Sequence, residues 1–188
     1  MYQVKLALAI SIALLLGGCA TSRSDVTATP AGQNAPRIAT PVIIPAASAR
    51  NVVMAMTGPR EVVEAKDWAN FKREWRETFA DHAKAQGITF SLVESEPQPQ
   101  GHDGTLLLVN VADYRMVGIG ARIWLGIMTG NAYINAKIKF SNLRDGTPFG
   151  EQEYNTTSSA AGGVFAKVTP QQVNTIATEV FTDLKAAR

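Results

Sequence analysis

Apolar positions along the chain follow two periods. Between Asp67 and Gln86, residues Trp68, Phe71, Trp75, Phe79 and Ala83 recur at steps of three and four, which lines one face of a helix. Lys72, Arg73, Arg76, Glu77, Asp81 and Lys84 fill the remainder, the mixed charge of a solvated face. Asp67 stands where a side chain caps a helix start, and Gly87 suits a left-handed stop. A second helix is expected from Thr169. There Thr169 and Gln172 read as a capping box, with Pro170 at the first helical position. Its stripe is Val173, Ile176, Ala177, Val180, Phe181 and Leu184.

The period of two appears most cleanly in "AYINAKIKFSNL". Ala132, Ile134, Ala136, Ile138 and Phe140 alternate with Tyr133, Asn135, Lys137 and Lys139, as in a strand covered on one side. Asp145-Gly146 predicts a type I′ turn into the partner strand "TPFGEQEYNTTS". Three further strands are expected in "ARNVVMAMT", "ITFSLVES" and "TLLLVNVADYRMV", the last being the most apolar and hence central. The order β-α-β-β-β-β-α predicts an α+β fold, a mostly antiparallel sheet with two helices packed on one face. We expect one such domain over residues 49–188.

The N-terminus follows a different logic. Lys5 is the sole charge before Cys19, and residues 6–16 are apolar except Ser11. That is a secretory signal, and too short for a comfortable membrane span. It ends in Leu16, Gly17, Gly18 and Cys19, which resembles the lipobox of bacterial lipoproteins, where cleavage precedes an acylated cysteine. Cys19 has no second cysteine to pair with, so a redox or metal role lacks partners. Residues 1–18 therefore read as a lipoprotein signal peptide and Cys19 as the lipid attachment point. Ala20 in place of Asp implies, by the same resemblance, the outer membrane, with the domain facing the periplasm. Residues 19–48 hold four of the nine prolines among small polar residues, a composition that does not fold alone. They read as a tether of about 30 Å end to end. Within it "RIATPVIIP" is apolar enough to dock on a sheet edge.

Charge and motifs remove several functions. The net charge of +2 is a near balance and falls further once Lys5 is cleaved off; nothing calls for nucleic acid. The stretch 116–130 has Gly118, Gly120, Gly126 and Gly130 among apolar residues. It lacks the Lys-Ser/Thr of a phosphate loop, and Ile123 occupies the third glycine of a dinucleotide fingerprint. Two readings remain: a tightly packed turn or bulge between strands, or a surface for self-association or partner docking, with Arg122, Ile123, Trp124 and Leu125 as its residues. His102 with Glu94, Glu96 and Asp103 matches no metal-ligand spacing, and neither His82 nor His102 sits in a nucleophile motif. No cofactor and no catalytic residue is expected.

The stretch from Arg115 to Gly146, with its glycine-rich apolar turn, amphipathic strand and Asp-Gly turn, resembles the bacterial lipoprotein family catalogued as domain of unknown function 4410. The element order over 49–188 also resembles the periplasmic domain of curli-secretion and penicillin-binding-protein-activator lipoproteins. These resemblances imply a non-enzymatic, membrane-anchored module that binds an envelope partner. The alternative is a structural lipoprotein that self-assembles through the turn 116–130. The partners expected are the lipid bilayer, reached through acylated Cys19, and an envelope protein or a second copy.

Overall fold

The computed structural model describes residues 41–117, 131–157 and 169–186. After a 3₁₀ turn at Ala46–Ser48 come β1 (Asn51–Thr57), the one-turn α1 (Arg60–Val63), α2 (Trp68–Ala85), β2 (Thr89–Val93), β3 (Thr105–Arg115), β4 (Tyr133–Asn142), β5 (Pro148–Thr157) and α3 (Thr169–Ala186). The architecture is α+β. A five-stranded sheet in the order β2-β1-β3-β4-β5 carries α2 and α3 on one face. The long ladders β3–β4 and β4–β5 are antiparallel, so pairing is mostly antiparallel. β1, however, runs parallel to both of its neighbours, β2 and β3.

The core follows the sequence periods. Phe71, Trp75, Phe79 and Ala83 of α2 and the whole stripe of α3 are buried against Met54, Leu107, Val109, Ile134, Ile138 and Phe140. Trp75 stacks on Phe79 at 5.4 Å, and Phe79 meets Phe181 of α3 at 5.7 Å and Phe90 of β2 at 6.2 Å. α2 ends as expected. Gly87 takes φ 64°, its N–H bonds the Lys84 carbonyl, and the Ile88 N–H reaches the Ala83 carbonyl, the paired bonds of a Schellman stop.

Three local expectations are corrected. First, the β4–β5 reversal is a four-residue loop, Leu143–Gly146, and not a two-residue type I′ turn. The Asn142 N–H bonds the Thr147 carbonyl, and Gly146, at φ 79°, bonds back to the Asn142 carbonyl. The longer loop lets Leu143 be buried with Val53 and Leu106 beneath the sheet. Second, Asp67 makes no capping bond; its Oδ1 accepts the Tyr114 hydroxyl at 2.7 Å. Third, Thr169 and Gln172 form no capping box. The Thr169 Oγ1 accepts the Val117 N–H at 2.9 Å, and Gln172 Nε2 donates to the Ala132 carbonyl at 3.0 Å. All three side chains join distant segments, because those buried backbone and phenol groups would otherwise be unpaired.

Two connections place the open face of the sheet. β2 and β3 both run parallel to β1, so the chain between them must return the length of the sheet. Segment 94–104 does this, and the Gln100 and Gly101 N–H groups bond the Leu143 and Arg144 carbonyls. At the other edge, the docking expected of "RIATPVIIP" occurs at its end: the Ile43 N–H bonds the Phe149 carbonyl at 3.0 Å and Ile44 is buried. A Cβ on Gly150 would stand 2.8 Å from the Pro41 carbonyl oxygen, so glycine admits that contact.

Candidate functional site: the open face of the sheet

The face opposite the helices takes alternate residues of β3, β4 and β5, as strand geometry requires. Register sets them in rows: Asn110, Lys137 and Glu153; Leu108, Lys139 and Glu151; Asp113, Asn135 and Asn155. A β-bulge at Ala112 shifts the last row. Among the described residues no helix lies over these rows. All of their residues except Leu108 and Asp113 line a shallow depression of about 430 Å³. Lys137 Nζ reaches Glu151 Oε1 at 3.1 Å, diagonally across the strands. The Tyr133 hydroxyl donates to Asp113 Oδ2 at 2.9 Å, and that bond raises the phenol's pKa. Each such cross-strand pair contributes roughly 0.2–1 kcal/mol. The chemistry on offer is hydrogen bonding and ion pairing with a polar surface.

The remaining candidates lie elsewhere. Cys19, Arg122, Ile123, Trp124 and Leu125 fall outside the described residues, as does the rest of the glycine-rich turn beyond Val117. His82 Nε2 contacts Asn174 Oδ1 at 2.9 Å and its ring stacks on Phe181, joining α2 to α3. His102 bonds the Gln100 side chain at 2.8 Å. Asp103 takes a two-point contact from Arg144, at 3.0 and 2.8 Å, and Glu94 pairs with Lys72. The four residues His102, Glu94, Glu96 and Asp103 are thus not gathered. Among the described residues no group of three or more His, Cys, Asp or Glu is placed to hold a metal. The open face itself was legible only as the polar half of the alternation in β4; its rows need the register.

Tyr114 gives a testable feature on the opposite, helix-bearing face. Its ring stacks on Phe71 at 4.1 Å and its hydroxyl holds Asp67. Burial, then the bond to Asp67, pushes the phenol well above its usual range. A raised folded pKa means this contribution is complete below the ordinary value of about 10 and is lost as pH climbs past it. Stability should therefore fall above about pH 10. Tyr114→Phe should cost about 0.5–1.5 kcal/mol at neutral pH and shallow the alkaline fall. Urea midpoints from pH 7 to 11 test this; an equally steep fall in the variant would refute it.

No protein family matches the chain, and no curated protein matches it. Solved structures do. PelC from Paraburkholderia phytofirmans, described as a dodecamer, superposes with a TM-score of 0.52 at 11% identity, covering 81% of this chain and 98% of that one. A single-residue variant of the same dodecamer in another crystal form gives 0.51 at 12% identity, covering 82% and 100%. At that identity the likeness is one of fold.

Proposed function

We propose that this chain is a lipid-anchored envelope protein whose folded head acts without catalysis, as a building block that associates with copies of itself. The observation that carries this is the likeness to PelC, which spans nearly the whole of that chain and is described there as a dodecamer. It favours self-assembly over the other reading of the sequence, a module docked on an envelope partner. The lipobox-like run ending at Cys19 supports the anchor. Among the described residues no helix is long and apolar enough to cross a membrane, so the acyl chains supply the attachment in this reading. Ala20 points to the outer membrane, with the head in the periplasm.

Partner docking keeps one specific observation in its favour: the half-exposed rows of Asn135, Lys137 and Glu153 on the open face. Size-exclusion chromatography with light scattering, on the acylated protein in mild detergent, separates the two. Self-assembly expects a particle several times the chain mass. A strictly monomeric particle would refute it and leave partner docking.

A further inference from the structure

One outer edge of the sheet is only partly met by the rest of the chain. β5 is the last strand of the order and pairs on one side with β4. On its other side the segment 41–44 meets its first residues, where the Ile43 N–H donates to the Phe149 carbonyl at 3.0 Å. Backbone groups alternate sides along a strand, so those of Glu151, Glu153 and Asn155 point outward as the Phe149 carbonyl does. Among the described residues no backbone bond reaches these three from outside. Such a row is a template for one more strand.

The chain leading into Ile43 has the pattern of that strand. Val42 and Ile44 pack on the helix-side core, whereas Ile43 between them is 74% exposed. Carried back two residues at a time, the core-facing set is Ile44, Val42, Thr40 and Ile38. Every one is β-branched and suits a strand. The outward set is Ile43, Pro41, Ala39 and Arg37. Direction agrees as well. Ile43 meets Phe149 while Pro41 and Val42 pass close to Gly150, so the segment runs antiparallel to β5.

We propose that residues 37–40, which lie outside the described residues, add to the outer edge of β5 as a sixth, antiparallel strand. Counting from the Ile43–Phe149 pair sets Ala39 against Glu153 and Arg37 against Asn155. Pro41 falls against Glu151 and has no N–H to give. It stands beside the place where β5 shifts register, and such irregularities tolerate proline. Opposite residues share a face of the sheet. Ile38 therefore comes beside Tyr154 and Thr40 beside Gln152, both on the helix-bearing face. The added strand closes this edge, and β2 keeps the remaining one. In the anchored reading it also shortens the free tether to residues 19–36, about 23 Å end to end. That tether then leaves the head at the Thr157 end of β5 and not beside Pro148. The added strand depends neither on acylation nor on self-association.

Hydrogen exchange on the full chain in mild detergent, read residue by residue by NMR, tests it. The amides of Ala39 and Glu153 should exchange at least about tenfold more slowly than in an unstructured chain. Ile38→Asp should release both, while the amides of the β3–β4 ladder keep their protection and show that the head is still folded. If that variant loosens the whole head, Ile38→Ser replaces it. Free exchange at Ala39 in the unmodified protein would overturn the proposal. So would protection of Ala39 and Glu153 that persists in the Ile38 variant. Protection lost on dilution would assign the strand to a neighbouring copy and overturn pairing within one chain.

Discussion

Phe79→Ala should lower the stability of the folded head by about 3–5 kcal/mol. The ring is fully buried and touches Trp75 one turn earlier in α2 and two further elements, through Phe90 on β2 and Phe181 on α3. Truncation removes the transfer energy of the ring and its aromatic contacts. It also leaves a cavity that the neighbours cannot collapse into, since α2 and α3 are each clamped to the sheet at their ends, by Tyr114–Asp67 and Thr169–Val117. A domain of this size holds about 5–15 kcal/mol in all, so the variant should be close to unfolding at 37 °C. Urea unfolding followed by tryptophan fluorescence gives the value. Phe79→Leu, which keeps most of the volume, should cost much less. A loss under about 1 kcal/mol for the alanine variant would mean that this junction is not the packed centre of the helical layer.

Cys19→Ser should move the protein from the membrane fraction to the soluble fraction of the envelope. The effect is close to all-or-none for a physical reason. Each buried CH₂ contributes about 0.8 kcal/mol, so a single fatty chain binds marginally while two or three bind stably. In the proposed anchor the attachment depends on a thioether at one sulfur, and a serine oxygen in its place cannot form it. Fractionation of cells expressing the variant, with mass spectrometry of the parent protein, tests both halves. A variant that still pellets with membranes, or a parent of unmodified mass, removes the anchor.

The helix stop at Gly87 was legible because its causes are adjacent: a glycine free to take φ 64°, one residue before the apolar Ile88. The stripes of α2 and α3 and the alternation of β4 were legible for the same reason, each being a period within a single element. The roles of Asp67, Thr169 and Gln172 were not. All three are good capping residues in the right places, and all three are drawn instead to groups on distant segments, Tyr114, Val117 and Ala132. A capping rule sees the four neighbouring residues; the competing partner comes from a fold not yet formed. Likewise "EPQPQGHDG" reads as a plain loop, whereas it is part of the return path that parallel β1–β2 and β1–β3 pairing demands.

By itself the sequence determined the kinds of element, their order and the faces they bury, since each is written in residues a few positions apart. Only the tertiary structure decided that β1 lies between β2 and β3 and that the rows of β3, β4 and β5 form an open polar face. Those properties join residues tens of positions apart through hydrogen-bonded register and packing, and no local period carries that information.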